Sequence, residues 1–243
     1  MTGAVASSPL PGCEAVWQKT MTLTDFDPAA LEHERTRNAR PAYGLTLVAD
    51  YPLAGDVLGS IDRLRQVCRR ALGDRVEFFS DDHLHLTVYS LLRSRTMPLS
   101  DEELTVIWAR WLPRLEEIAG GFSSLRVPLR GLSVTRSGAV LVCGVATDGL
   151  GHLQRKVSRL PGVAALRDIP PHITIGQLNQ PCGTVEAFGE VMTALRCHAD
   201  DSVGTLRTAR LRLLYYSSRL LDQVLRSAAI PLGQRNWLRQ ATP

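Results

Sequence analysis

The spacing of hydrophobic residues changes several times along this chain, and each change predicts a new element of secondary structure. In "DVLGSIDRLRQVCRRALG" apolar side chains recur every three to four residues, as at Val57, Ile61 and Leu72, which predicts an amphipathic helix. Residues 104–118 have the same spacing, and Ser100 before them is a residue that suits a helix N-cap. The segments "YGLTLVADY" and "HLHLTVYSLL" read as strands, the second because polar and apolar residues alternate.

This order of elements occurs twice in the sequence. The first repeat, about residues 42–135, ends in the extended segment "SSLRVPLRGLSV". The second repeat, about residues 138–232, offers "GAVLVCGVA", "DGLGHLQRKVSRL", "PHITIGQL", "TVEAFGEVMTALRCH" and "TARLRLLYYSS" as strand, helix, strand, helix and strand, and "LDQVLRSAAIPL" can add one more strand. Two successive β-α-β-α-β units predict an α+β fold that is bilobal, with a central cleft between two mainly antiparallel sheets.

Residues 1–41 form an N-terminal extension ahead of the two-lobed domain at 42–243. The extension should contain one short helix at about 28–37, because Asp27 suits its N-cap, Pro28 its first position and Pro41 its stop. Two roles stay open for this helix. It is either a partial lid that narrows the cleft or a solvated tail without a catalytic effect.

A short motif is present at equivalent places in the two repeats. Residues 85–88 read "HLTV" and residues 172–175 read "HITI", so each is a His-x-Thr followed by a β-branched aliphatic residue. Strand side chains alternate between faces, so His85 shares one face with Thr87, and His172 shares one face with Thr174. Each of these tetrads therefore offers a polar pair to a cleft and an apolar pair to a core.

Three interpretations of the first tetrad are possible. Its polar face is simply exposed to solvent, or His83 and His85 are half of a zinc site, or His85 is one half of a catalytic pair. Asp81 and Asp82 lie beside His83, but the second tetrad has no carboxylate on its strand, which disfavours a metal. Two imidazoles that titrate near neutral pH can supply a base and an acid, and threonine hydroxyls can donate to phosphoryl oxygens.

With these paired tetrads, the chain resembles the 2H phosphoesterase superfamily, also called the LigT-like or RNA 2',3'-cyclic phosphodiesterase family. The resemblance covers roughly residues 42–232, and its signature is the two His-x-Thr-x tetrads. It implies one tetrad from each lobe in a central cleft, with His85, Thr87, His172 and Thr174 as catalytic residues. It also implies cleavage of phosphodiesters without a metal or cofactor, often on nucleotides or RNA ends with a 2',3'-cyclic phosphate.

Four further residues are candidates for contacts with the substrate. Tyr89 should continue the inward face beyond Thr87, and Arg93 lies two further alternations along the same strand. An aromatic ring could stack on a base, and a guanidinium could bind a phosphate. Tyr215 and Tyr216 occupy opposite faces of the late strand, so one of them should look into the cleft.

Composition sets the remaining expectations. No stretch of 18 apolar residues and no basic segment followed by an apolar one is present near the start, so we expect a cytoplasmic protein without membrane contacts. Five cysteines without a CxxC pair argue against a disulfide framework and a zinc knuckle. We expect a monomeric hydrolase acting on a nucleotide or RNA end. The alternatives are an enzyme for another small nucleotide phosphodiester, including 2'-5' linkages, and a non-catalytic nucleotide- or RNA-binding module.

Overall fold

The structure is a computed structural model that describes residues 11–23, 26–53, 55, 57–166, 170–181 and 183–233. The described helices are α1 (Pro11–Met21), α2 (Pro28–Ala39), α3 (Val57–Leu72), α4 (Asp101–Ala119), α5 (Asp148–Val157) and α6 (Val185–Arg196). The described strands are β1 (Tyr43–Ala49), β2 (Val76–Phe78), β3 (Leu86–Arg95), β4 (Leu125–Val134), β5 (Ala139–Gly144), β6 (His172–Leu178), β7 (Ser202–Thr208), β8 (Arg210–Tyr216) and β9 (Val224–Pro231).

Two antiparallel sheets form the frame, which confirms the predicted α+β fold class. The first sheet has the order β3-β1-β8-β9, and the second has the order β2-β6-β5-β4-β7. The two repeats exchange strands between the sheets. Strand β4 of the first repeat pairs with β5 of the second, and β8 of the second repeat pairs with β1 of the first. This exchange links the two repeats through both sheets. The short strands β2 and β7 were not predicted.

The helices cover the sheets with the faces that the sequence pattern predicts. Helices α3 and α6 contact each other and the second sheet, whereas α4 and α5 contact each other and reach β9 and β3 of the first. Every apolar position of the predicted α3 stripe is buried, from Val57 to Leu72. Helix α4 begins with a capping box in which the Ser100 hydroxyl accepts from the Glu103 N–H at 3.1 Å and the Glu103 carboxylate accepts from the Ser100 N–H at 2.8 Å.

The extension contains the predicted helix and one more. Helix α2 begins at Pro28, and the Asp27 carboxylate accepts from the Ala29 N–H at 2.9 Å, as the sequence indicated. Helix α1 was not predicted, and residues 1–10 lie outside the described residues. The carboxylate of Glu14 in α1 pairs with Arg196 of α6, and Leu31 of α2 lies against the β4–β5 turn. Helix α1 is thus packed on the second sheet and its helices.

Helix α1 also covers an open strand edge. The pairing of β4 with β7 ends at Arg130, so the carbonyl groups of Leu132 and Val134 have no strand neighbour on that side. The buried Trp17 donates its Nε1–H to the Leu132 carbonyl at 2.7 Å, and the Thr20 hydroxyl donates to the Val134 carbonyl at 2.5 Å. Side chains of α1 therefore satisfy edge carbonyls that a further strand would otherwise bind.

Two structural findings concern the environment of the chain. In the part of the chain that the structure describes, no helix is both long enough and apolar enough to cross a lipid bilayer. Cys68 and Cys197 are free thiols, whereas Cys143 is disulfide-bonded. The sequence argument against a disulfide framework is therefore corrected at Cys143.

Candidate active site

The first tetrad lies at an irregularity of β3. Val48 of β1 lies opposite Thr87, and Leu47 lies opposite Tyr89, so Val88 is an extra residue in the strand. Such a β-bulge re-aims the side chains that flank it. Thr87 keeps the cleft face, whereas Val88 is buried in the main core.

The second tetrad has the same irregularity at the same position. Leu141 of β5 lies opposite Thr174, and Val140 lies opposite Gly176, so Ile175 is the extra residue of β6. Ile175 is also buried in the main core. The two tetrads are therefore equivalent in backbone as well as in sequence, down to a bulge at the fourth residue.

Each histidine is oriented by a backbone carbonyl two residues earlier. Nδ1 of His85 lies 2.7 Å from the His83 oxygen, and Nδ1 of His172 lies 2.9 Å from the Pro170 oxygen. A carbonyl oxygen only accepts hydrogen bonds, so Nδ1 carries the proton in both rings. Nε2 of each ring is left to accept a proton from, or return one to, a molecule in the cleft.

Burial favours the neutral form of both imidazoles. Burial lowers the pKa of His85 to about 4. The hydrogen bond to the His83 carbonyl raises this pKa, whereas the charges of His172 and His83 lower it further. Burial also lowers the pKa of His172, and the Pro170 carbonyl opposes this shift. Thr87 of the first tetrad and His172 of the second line the same cavity, and β3 contacts β6, so the two tetrads lie close together. A bound phosphate would favour the protonated form of either ring.

A cavity of about 250 Å³ adjoins the tetrads and takes its walls from both repeats. Thr87 and His172 lie on one side, and Gln154 and Leu166 also line it. Arg93 lines the cavity too and is exposed, so its guanidinium is available to a ligand. The cavity thus brings this cation together with residues of both tetrads.

Tyr89 does not continue the inward face of β3, because the bulge at Val88 reverses the alternation. Tyr89 lies opposite Leu47 and is only 2% exposed, and burial raises the pKa of its hydroxyl. Its hydroxyl donates to the Ala164 carbonyl at 2.8 Å. Tyr89 therefore fixes the segment that walls the cavity, and its ring is not free to stack on a base as the sequence suggested.

The late-strand tyrosines point in opposite directions, as predicted. Tyr215 is 3% exposed in the main core, and its hydroxyl accepts from the Leu99 N–H at 2.8 Å, so its ring is not open to a substrate. Tyr216 lies on the other face, over Gly44, in a small apolar cluster with Val48. Tyr216 is therefore the one that faces the cleft side of the first sheet.

His83 lies in a 3₁₀ turn, Asp81–His83, immediately before the first tetrad. The buried guanidinium of Arg65 holds this turn, because it donates to the Asp81 carboxylate at 2.5 Å and to the Phe79 carbonyl at 2.6 Å. In the described part of the chain, no three His, Cys, Asp or Glu side chains lie close enough together to hold a metal ion. His83 contributes its carbonyl to the orientation of His85.

Three other neighbours of the site carried no recognisable signal in the sequence. Gln154 of α5 donates its Nε2–H to the Val88 carbonyl at 3.0 Å and so supports the bulge. Tyr51 packs edge-on against His85, with ring centres 6.3 Å apart. Arg212 of β8 lies on the cleft face, two strands away from Thr87. These residues come from distant segments, so only the fold reveals their relation to the tetrads.

No family model and no curated protein matches this chain. Among solved structures, the conserved protein of unknown function ATU0111 from Agrobacterium tumefaciens str. C58 is 12% identical, with a TM-score of 0.51 over 80% of this chain and 87% of that one. E. coli LigT in apo form is 19% identical, with a TM-score of 0.45 over 80% and 96% of the two chains. TT0787 of Thermus thermophilus is 14% identical, with a TM-score of 0.47 over 77% and 97%.

These likenesses concern the fold. The chain shares its overall architecture with the Agrobacterium protein. The chemistry of the cleft is argued below from the residues of this chain.

Proposed function

We propose that this protein is a metal-independent phosphodiesterase that opens a 2',3'-cyclic phosphate on a nucleotide or an RNA end. One observation carries the proposal. Thr87 of the first tetrad and His172 of the second line one cavity, Nδ1 of His85 and of His172 is each bonded to a carbonyl two residues earlier, and each histidine has a threonine two residues further along its strand. This arrangement supplies two proton carriers and two hydroxyl donors without a carboxylate.

The chemistry requires these groups and balances with water alone. One neutral imidazole takes a proton from water, and the water oxygen forms a bond to phosphorus. The bond from phosphorus to one ribose oxygen breaks, and the other imidazole, protonated beforehand, gives its proton to that oxygen. Thr87 and Thr174 donate hydrogen bonds to the nonbridging oxygens, whose negative charge is held in the transition state.

The surroundings of the two histidines favour one assignment of these roles. Burial lowers the pKa of both histidines, and at His85 the charges of His172 and His83 lower it further. The additional effect of the two neighbouring imidazoles favours the neutral form of His85. We assign His85 as the base and His172 as the acid for ring opening, and the roles reverse for the reverse reaction.

The cavity beside the tetrads supports a small substrate portion. Its volume of about 250 Å³ lies just below the range of about 300–1,000 Å³ that is common for small-molecule sites, which suits one nucleoside. The exposed guanidinium of Arg93 lies at its wall and suits a phosphate oxygen. Tyr89 and Tyr215 are buried, so base stacking would need another partner.

Hydrolysis assays in EDTA test the proposal. The substrates are a 2',3'-cyclic mononucleotide, an RNA oligonucleotide ending in a cyclic phosphate, and a 2'-5' dinucleotide. We expect turnover of at least one cyclic substrate, undiminished by EDTA. Preferential turnover of the 2'-5' dinucleotide would move the assignment to another nucleotide phosphodiester. Binding of nucleotides without turnover would indicate a binding module, and activity that EDTA abolishes and zinc restores would contradict the two-histidine mechanism.

A further inference from the structure

Arg212 is a cation on the cleft side of the first sheet. In β8, Leu211, Leu213 and Tyr215 belong to the main core, so Arg212 faces the opposite side. It lies opposite Val48, and Val48 lies opposite Thr87, so the three residues form one row across β8, β1 and β3. Adjacent strands lie about 4.8 Å apart, so the backbone of Arg212 lies about 10 Å from the backbone of Thr87.

The Nε–H group of Arg212 has no hydrogen-bond partner among the described residues. Its Nε–H is buried without a hydrogen-bond acceptor, and none of the described ion pairs involves it. A buried cationic donor without an acceptor is unfavourable for folding, and such groups often await a ligand. The free donor of Arg212 therefore needs an explanation that packing does not provide.

Tyr51 connects Arg212 to the first tetrad. Its ring lies 6.3 Å from the ring of His85, and the charge of Arg212 lowers the pKa of the Tyr51 hydroxyl, although burial and the charges of Asp222 and Asp82 raise it on balance. Arg212 thus lies near the His85 edge of the cleft with Tyr51 beside both residues. Neither aspartate forms a described ion pair with Arg212.

The equivalent place in the other lobe carries no charge. There, Thr174 lies opposite Leu141, and Leu141 lies opposite Ser133 of β4. The Ser133 hydroxyl is likewise buried without a described partner. Each row runs from a threonine through an aliphatic residue, but one row ends on arginine and the other on serine. An anion on the His85 side is thus favoured, and the near-symmetry of the cleft is broken.

We infer that Arg212 binds a second anionic group of the substrate, so that the preferred substrate carries another phosphate one nucleoside away from the phosphate that reacts. The inference rests on the proposed function for the reacting phosphate. Arg212 would fix which ribose oxygen faces His172, because a substrate held at both anions can enter the cleft in one direction only. The added binding energy would come from a charge-assisted hydrogen bond of the guanidinium.

Binding measurements by titration calorimetry test this without turnover. The probes are 3'-AMP and adenosine 3',5'-bisphosphate, which differ only in the second phosphate. We expect the unmodified protein to bind the bisphosphate about tenfold or more tightly, and Arg212→Gln to reduce that ratio to within about twofold while its affinity for 3'-AMP is unchanged. The control Arg207→Gln removes an exposed cation from β7 of the second sheet and should keep the full ratio.

The outcomes separate this inference from the proposed function. If no cyclic phosphate is opened but the ratio is present and lost in Arg212→Gln, the proposed function fails and Arg212 still binds a second anion. If cyclic phosphates are opened but the ratio is absent, or persists in Arg212→Gln, the inference is wrong. An equal loss of affinity for both probes would place Arg212 at the reacting phosphate and overturn it too. A lowered melting temperature of Arg212→Gln would show a structural role instead, because removal of an unpaired cation should not destabilise the fold.

Discussion

The two tetrads have the same local design but different supports. Both have a bulge at the fourth residue and a histidine whose Nδ1 meets the carbonyl two residues earlier. The first is preceded by a 3₁₀ turn that Arg65 holds through side-chain hydrogen bonds. The second is preceded by Pro170 and Pro171, and the Pro171 carbonyl accepts from the Gly144 N–H at 2.6 Å.

This difference teaches which part of the design the chemistry requires. The backbone carbonyl, the imidazole and the hydroxyl occur in both halves, whereas a side chain supports one approach segment and the rigid ring of proline supports the other. We therefore expect the two halves to respond alike when the shared groups are changed. They should respond differently when their supports are changed.

The largest expected effect is the loss of either imidazole. His85→Ala and His172→Ala should each reduce kcat by about 100- to 10,000-fold, because each removes one proton-transfer step. Steady-state assays on a cyclic substrate, with circular dichroism to confirm folding, check this. Near-normal activity of either variant would show that the halves are not equivalent in the reaction.

Removal of the hydroxyl groups should have the next largest effect. Thr87→Val and Thr174→Val keep the shape of the side chain but remove the donor, and each should lower kcat by about 100- to 1,000-fold. The matched variants Thr87→Ser and Thr174→Ser keep the hydroxyl and should recover most of the activity. If the serine variants are as slow as the valine variants, packing rather than hydrogen bonding explains the role of these residues.

A smaller effect should separate the two halves. Arg65→Met removes the donors to Asp81 and Phe79 and loosens the turn that carries the His83 carbonyl, so kcat should fall about tenfold at unchanged KM. The control Arg63→Met, which loses an exposed arginine on the same helix that donates to the Ser60 hydroxyl, should keep full activity. Equal losses in both variants would mean that helix α3 acts through its net charge.

The smallest effect on activity is expected at α1, which covers an edge of the second sheet. Trp17→Ala removes a buried side chain and should lower the free energy of unfolding by about 3–5 kcal/mol, with kcat/KM unchanged while the protein is folded. Trp17→Phe should lose about 1 kcal/mol, mainly through the hydrogen bond to Leu132. Urea unfolding measures both values. A change in kcat/KM in folded Trp17→Ala would support a role of the extension near the cleft.

Much of this fold follows from the sequence because helices and strands have distinct hydrophobic periods. The stripe of α3 and the cap of α4 are local features, and they were predicted from neighbouring residues alone. The exchange of β4 and β8 was not predicted, because either pairing gives the same order of elements along the chain. Helix α1 was not predicted because its buried side is narrow and gives no clear hydrophobic stripe. Trp17 and Thr20 on that side form hydrogen bonds to β4.

The site was predictable in its chemistry and less so in its surroundings. The two tetrads stood out because the motif is duplicated at equivalent places. Tyr89 was misplaced because the bulge at Val88 adds one residue without any mark in the sequence and changes the face of Tyr89, and a second extra residue, Leu91, restores the alternation before Arg93. Arg65 contacts residues 14 and 16 positions further along the chain, and Arg212 lies two strands away from Thr87, so their relation to the first tetrad becomes visible only in the folded protein.

The dependence of kcat/KM on pH tests the central claim most directly, because it reports the base and the acid of the free enzyme. A base whose pKa is lowered to about 4 is active above that pH, so activity should fall only as the pH drops through about 4. An acid whose pKa is lowered by burial loses its proton at a pH below its ordinary value, so activity should fall again on that side of about 6.5. The account therefore predicts a bell-shaped pH profile of kcat/KM with an acidic optimum. Each histidine variant should lose one of the two slopes of this profile. A profile that rises steadily to alkaline pH would contradict it.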